Sequence, residues 1–193
     1  MTPRKQVSRI RALAFAVAVA VGIMAVEGEA SDLYSSGATT WGTTSTNWGA
    51  VSGGPYNAAS WSDGDTAIFE GSAGAVALGE SITVGHIVFT AGNGYTINGN
   101  ALNFASGGSI TQLVHSAKQT ITSAITGNPT VWLPSSSHTG YSELEFAPTS
   151  GSVTLGTCWV PYNDGSDDKC KLYLGGTTSD NSVSNMICNK EQG

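Results

Sequence analysis

Apolar and polar side chains alternate along this chain in short bursts. Ile82 and Val84, then Ile87 and Phe89, stand at every second position with small or polar residues between them, and Gly85 divides the two pairs. Tyr95 and Ile97 alternate before a Gly99-Asn100 turn, and Leu102 and Phe104 alternate before Gly107-Gly108. Ile110 opens a further run, SITQLV; Ile121 and Ile125 lie in QTITSAITG, which ends at Gly127; Val131 and Leu133 follow. A period of two, closed by turn residues, marks a strand that buries one face. Upstream, Asp63-Gly64-Asp65 is a turn signal directly before a strand over Thr66 to Glu70. Outside the first 30 residues no segment sustains the 3.6-residue apolar period of a helix.

Strands of about five residues, each with one apolar face, cannot form separate cores and must pair or stack with neighbours. Two all-β architectures meet that need: a β-solenoid whose rungs stack along an axis, and a β-sandwich or barrel. Asn, Ser and Thr on tight turns favour the solenoid, because each rung can offer an amide or hydroxyl to the next. The β-sandwich is the alternative, since no repeat of fixed period is visible. The chain divides into residues 1–30, 31–60 (a polar lead with embedded aromatics), 61–133 (the solenoid repeats) and 134–193 (a less regular β tail that holds the cysteines).

The first segment reads as a secretory signal peptide. Arg4, Lys5, Arg9 and Arg11 form a basic start, Ala12 to Val26 is an uninterrupted apolar run, and Gly28 and Ala30 are the small residues of a cleavage site after Ala30. The run is shorter than the roughly 20 residues that span a bilayer. Removing 30 of the 193 residues leaves 163, enough for one domain. The segment holds four of the eight Lys and Arg and two of the fourteen Asp and Glu, so the remainder has four cations, twelve acids and a net charge of −8. So few cations disfavour both a nucleic-acid backbone and anionic lipid as partners. The 25 glycines suit turns better than helices, while five Trp, five Phe and six Tyr argue against disorder.

The candidate chemistry is sparse. Asp63 and Asp65 could be paired carboxylates, but Asp and Gly here are better read as turn residues. Asn163, Asp164, Asp167 and Asp168 form an acidic loop that could attract calcium, yet no EF-hand or glycine-rich nonapeptide pattern frames it. His86, His115 and His138 lack the neighbours of a zinc site or triad and read as exposed. Cys158, Cys170 and Cys188 lie near the end of the chain; Cys158 and Cys170 flank a turn-rich loop and could close it with a disulfide, the alternative being unpaired thiols. Trp41, Trp48, Trp61 and Tyr56 could line a sugar-binding surface; a cap over the open end of a solenoid is the favoured reading. No catalytic, cofactor-binding or metal residue is assigned, and no cofactor is expected.

The run from Trp41 to Leu133 resembles the N-terminal region of bacterial proteins with autotransporter-associated β-strand repeats. The resemblance rests, in order, on Asn47-Trp48, Trp61-Ser-Asp-Gly-Asp-Thr-Ala-Ile-Phe69, Ile82-Thr-Val-Gly-His-Ile-Val-Phe89, Gly94-Tyr-Thr-Ile-Asn-Gly99, Leu102-Asn-Phe104, Ile110 and Thr120-Ile-Thr-Ser-Ala-Ile-Thr-Gly127. Leu172 to Ile187 looks like one further repeat, whereas residues 134–171 depart from the pattern. The resemblance implies a right-handed parallel β-helix and a passenger-like protein at the cell surface or outside it. No membrane β-barrel follows before Gly193, so the expectation is the N-terminal part of a passenger, or export by another route.

The expected function is therefore a non-enzymatic, exported, structural or adhesive β-solenoid, located in the periplasm, at the cell surface or outside the cell. A carbohydrate-binding or carbohydrate-active β-helix protein is the alternative, although Lys118, Lys169, Lys171 and Lys190 are the only cations left to line a groove for acidic sugars. The partner is left open between surface glycans and other cell-surface proteins.

Overall fold

Strands from distant parts of the sequence lie side by side, and nearly always in parallel. The computed structural model describes residues 30–114, 116–133, 141–160, 169–176 and 180–187. Its strands are β1 (Asp32–Ser35), β2 (Thr39–Trp41), β3 (Thr66–Phe69), β4 (Ala75–Leu78), β5 (Ile82–Phe89), β6 (Thr96–Gly99), β7 (Leu102–Gln112), β8 (Ala117–Ile121), β9 (Ile125–Thr126), β10 (Thr130–Trp132), β11 (Tyr141–Phe146), β12 (Thr154–Trp159), β13 (Lys169–Leu174) and β14 (Ser182–Ile187). Sheet A runs β1-β3-β5-β7-β10-β12-β14, with β9 beside β7, and sheet B runs β13-β11-β8-β6-β4-β2. The chain thus passes from one sheet to the other and returns one rung higher. This is a parallel β-solenoid, and the sandwich alternative is set aside because every paired strand is parallel.

Sheet A carries a break that the alternation around Gly85 already marked. The pairing of β5 with β7 shifts register between Val84 and His86. Ile82–Val84 pair with Leu102–Phe104, and His86–Phe89 pair with Ser109–Gln112, so residues 105–108 lie opposite Gly85 alone. Gly107 and Gly108 therefore form a bulge within one long strand and not a turn between two. In the next coil the same two limbs are separate strands, β9 and β10, divided by residues 127–129. Each such coil has three straight runs, two in sheet A and one in sheet B.

The core follows from the register. Leu33, Ala67, Ile87, Ile110, Val131 and Cys158 succeed one another at the same interior position on sheet A. All are buried. Val76, Ile97, Ile121 and Phe146 do the same on sheet B. Each such side chain withdrawn from water contributes roughly 1.5–3 kcal/mol. Phe69 and Phe89 stack at 5.3 Å with their planes 22° apart. One interior polar group is tied at a corner: the Gln119 side-chain oxygen accepts the Tyr95 N–H at 2.7 Å, and its amide donates to the Gly92 carbonyl at 2.9 Å.

Coil length changes along the stack, which is why no fixed repeat is visible. Side chains bonded one coil apart are separated by 23 residues at His86–Ser109, 25 at Thr120–Glu145 and 28 at Lys171–Glu143. The added residues enter at the 105–108 bulge of β7 and, further along, between sheet A and sheet B in the links β10–β11 and β12–β13. The stack continues past residue 133, because β11 to β14 pair on the same two sheets.

Candidate functional site

The outward faces of the two sheets differ in chemistry. On sheet B the outward positions of β8, β11 and β13 carry Lys118, Glu143, Glu145, Lys171 and Tyr173. Lys118 pairs with Glu145 at 2.8 Å and Lys171 with Glu143 at 2.7 Å, and the Lys118 ammonium lies 5.6 Å from the centre of the Tyr173 ring. The hydrogen bonds they donate to these carboxylates hold both ammonium groups above the usual lysine range. The described lysines of this face are thus engaged with protein partners.

The corresponding face of sheet A is uncharged from β3 to β12 among the described residues. Each strand presents two outward side chains there. One column runs Thr66, His86, Ser109, Thr130, with Thr157 continuing it beside Cys158. The second runs Ile68, Val88, Thr111, Trp132 and Trp159. The first is a hydroxyl ladder in which His86 Nδ1 lies 2.8 Å from Ser109 Oγ. The second is apolar apart from Thr111 and holds two indoles, 5.7 Å apart and tilted by 36°, with Ile187 of β14 in register beyond them. Trp132 is 46% exposed because Thr111, one coil before it, is too small to cover its ring.

The residues singled out from sequence fall elsewhere. Asp65 is buried, and its carboxylate accepts the N–H groups of Ser31 and Ser62, each at 2.8 Å. Asp63 is exposed beside it. They sit in the turn before β3 and are not a facing pair over a groove. Trp41, Trp48 and Trp61 are buried, which overturns the exposed sugar-binding surface for these three. They pack together at 4.6–5.2 Å, and Trp41 and Trp48 also touch Phe69. Tyr56 is half-buried and donates from its hydroxyl to Glu70 at 3.1 Å. Glu70 also accepts from Ser52 and the Gly53 N–H, both at 2.7 Å. Burial opposes the charged form of Glu70, but these three donors outweigh it and hold its carboxyl below the usual range.

Cys158 is a free thiol in the interior column, so the loop-closing disulfide with Cys170 is not formed. Its side chain points into the aliphatic core, and burial pushes its pKa up to about 11. That protonated, enclosed thiol is a packing group. Residues 1–29, on which the signal-peptide expectation rests, His115, His138, the acidic loop Asn163, Asp164, Asp167 and Asp168, and Cys188 lie outside the described residues. Among the described residues, no cluster of His, Cys, Asp and Glu is arranged to hold a metal ion. Sequence reasoning missed Trp132 and Trp159: the signal was two Thr-x-Trp triplets, Thr130-Val131-Trp132 and Thr157-Cys158-Trp159, but their equivalence needs the coil register.

No family model matches the chain, and no solved structure matches it. The chain is 36% identical over 117 residues to an adhesin, the BmaC autotransporter of Brucella suis biovar 1 (strain 1330). The match takes in 54% of this chain and spans only 3% of that relative's length, so the likeness is to one short stretch of a much longer autotransporter adhesin.

Proposed function

We propose that this chain is an exported, passenger-like β-solenoid with an adhesive role and no catalytic activity of its own. The observation that carries this reading is the 36% identity with a stretch of an autotransporter adhesin, in a chain whose fold is a stack of parallel coils. Residues 1–30 act as the leader that takes it across the inner membrane, and the buried tryptophans of residues 31–61 cover the first coils. An uncharged, aromatic outer face supports adhesion, since interfaces lose charge and gain Trp and Tyr at their centres.

The test has two parts. Expression in a Gram-negative host, followed by mass measurement of the exported chain, should give a polypeptide beginning at Ser31. Beads coated with that polypeptide should bind host-cell or abiotic surfaces more strongly than beads coated with an unrelated β-protein. Retention in the cytoplasm with Met1 intact, or beads that bind no better than the control, would sink the reading.

A further inference from the structure

We propose that the outer face of sheet A around Trp132 and Trp159 is a stacking site for a neutral saccharide. The inference rests on the adhesive reading above and gives it a ligand class.

The occupant follows from charge, size and the pattern of polar groups. Between β3 and β12 the described outward side chains of sheet A carry no Lys, Arg, Asp or Glu. An acidic glycan or a nucleic acid would find no cation there to replace its lost counterions. A neutral sugar needs none, because the C–H face of a pyranose ring packs on an indole while its hydroxyls bond to side chains at the edge. The face supplies both parts. Trp132 and Trp159 stand in register on consecutive coils, 5.7 Å apart. Thr130 and Thr157 stand two residues earlier on the same face, about 7 Å along each strand.

Size separates the sugar from a protein partner. An aromatic side chain buries 150–250 Å² at most. Trp132 is 46% exposed and Trp159, in register between Trp132 and Ile187, is half-buried, so the two rings offer far less than the roughly 800 Å² per partner of a stable protein interface. That area matches one or two sugar rings. Thr111 leaves the flank of Trp132 open, and the column beneath it narrows to Val88 and Ile68. A chain of sugars would run along the stack from Trp159 towards Val88.

The probe is an array of neutral oligosaccharides built from glucose, mannose, galactose and N-acetylglucosamine, read with the full exported chain. Binding to at least one class is expected. Trp132→Ala should weaken it by roughly tenfold, and Trp132→Tyr should keep most of it. Circular dichroism of each variant, unchanged from the parent, excludes a folding defect. Absence of binding to every neutral class, or equal binding by Trp132→Ala and Trp159→Ala, overturns the proposal. So does a concentration-dependent dimer that Trp132→Ala abolishes, which would assign the face to a second copy of the chain. Bead adhesion separates the two readings. Adhesion that saturating oligosaccharide fails to displace leaves the adhesive role standing and removes the sugar site. Array binding without bead adhesion does the reverse.

Discussion

Cys158 lies directly in register with Val131 of the preceding coil, so a thiol continues a column of aliphatic side chains. The interior treats it as a small hydrophobe, and a charged thiolate has no place there. The folded thiol titrates near 11, while an unfolded one titrates near the ordinary 9.0. Because the folded value is the higher, this part of the stability is complete below pH 9. It is lost as pH rises from about 9 through about 11, by an amount of order 2 kcal/mol. Urea midpoints at pH 8 and pH 10.5 should fall less in Cys158→Val than in the parent; equal falls would refute the assignment. Iodoacetamide at pH 8 should leave Cys158 unmodified in the folded chain, as read by peptide mass.

Gly108 and Gly85 are stacked at the break in sheet A. A β-carbon on Gly108 would lie 2.7 Å from the Gly85 carbonyl oxygen and 2.9 Å from the Phe104 ring, and one on Gly85 would run into the Gly64 carbonyl. Backbone cannot move aside as a flexible side chain can. Gly108→Ala is therefore expected to lower the unfolding free energy by about 1–3 kcal/mol in a denaturant titration.

Gln112 is buried where its neighbours in register are Phe89 and the adjoining aliphatic column. Among the described residues its side-chain oxygen has no hydrogen-bond partner, and its amide reaches the Ala117 carbonyl only at 3.4 Å. An unpaired buried acceptor carries its full desolvation penalty. Gln112→Leu should raise the urea midpoint, by about 1 kcal/mol in unfolding free energy. A fall would mean that the Ala117 contact matters more than the orphaned oxygen.

Glu70 fastens the loop of Ser52, Gly53 and Tyr56 to the end of β3. Its folded pKa lies below the usual value, so its contribution is present above the ordinary glutamate range and is lost as pH falls through the lowered value. The Gly53 amide proton should shift upfield in NMR spectra as pH drops from 6 to 2, and Glu70→Gln should remove that titration. A Gly53 signal that tracks pH equally in both proteins would refute the contact.

Much of the middle of the fold was legible because its strands obey a single rule. From Thr66 to Val131 most buried residues are apolar, most of their neighbours are small or polar, and glycine marks the breaks; Gln112 and Gln119 are buried exceptions, and Ile68 and Val88 outward ones. The rule fails at β4, where Ala75 and Ala77 face out and blur the alternation. In the tail, β11 keeps the alternation, with Leu144 and Phe146 buried and Glu143 and Glu145 outward, but the longer links on either side hide its place in the stack. Coils that range from 20 residues (Thr66 to His86) to 28 (Glu143 to Lys171) conceal the repeat from any search for a constant spacing. The aromatic face was invisible for the same cause: Trp132 and Trp159 become neighbours only after the intervening link has been folded out of the way. In the lead, single tryptophans in polar surroundings carry no period at all, and their burial depends on one another.

The antiparallel contact at the start of sheet A bears on how copies of this chain behave in a crowd. Tyr34 exchanges two backbone hydrogen bonds with Gly49, at 2.9 and 2.8 Å, on the side of β1 that faces away from β3. The outermost amide and carbonyl of that strand are thereby spent. A free edge of parallel strand is a template on which further chains can add rung by rung into a fibre. A further chain adding at β1 would first have to displace the Gly49 contact, which opposes filament growth from that edge of sheet A.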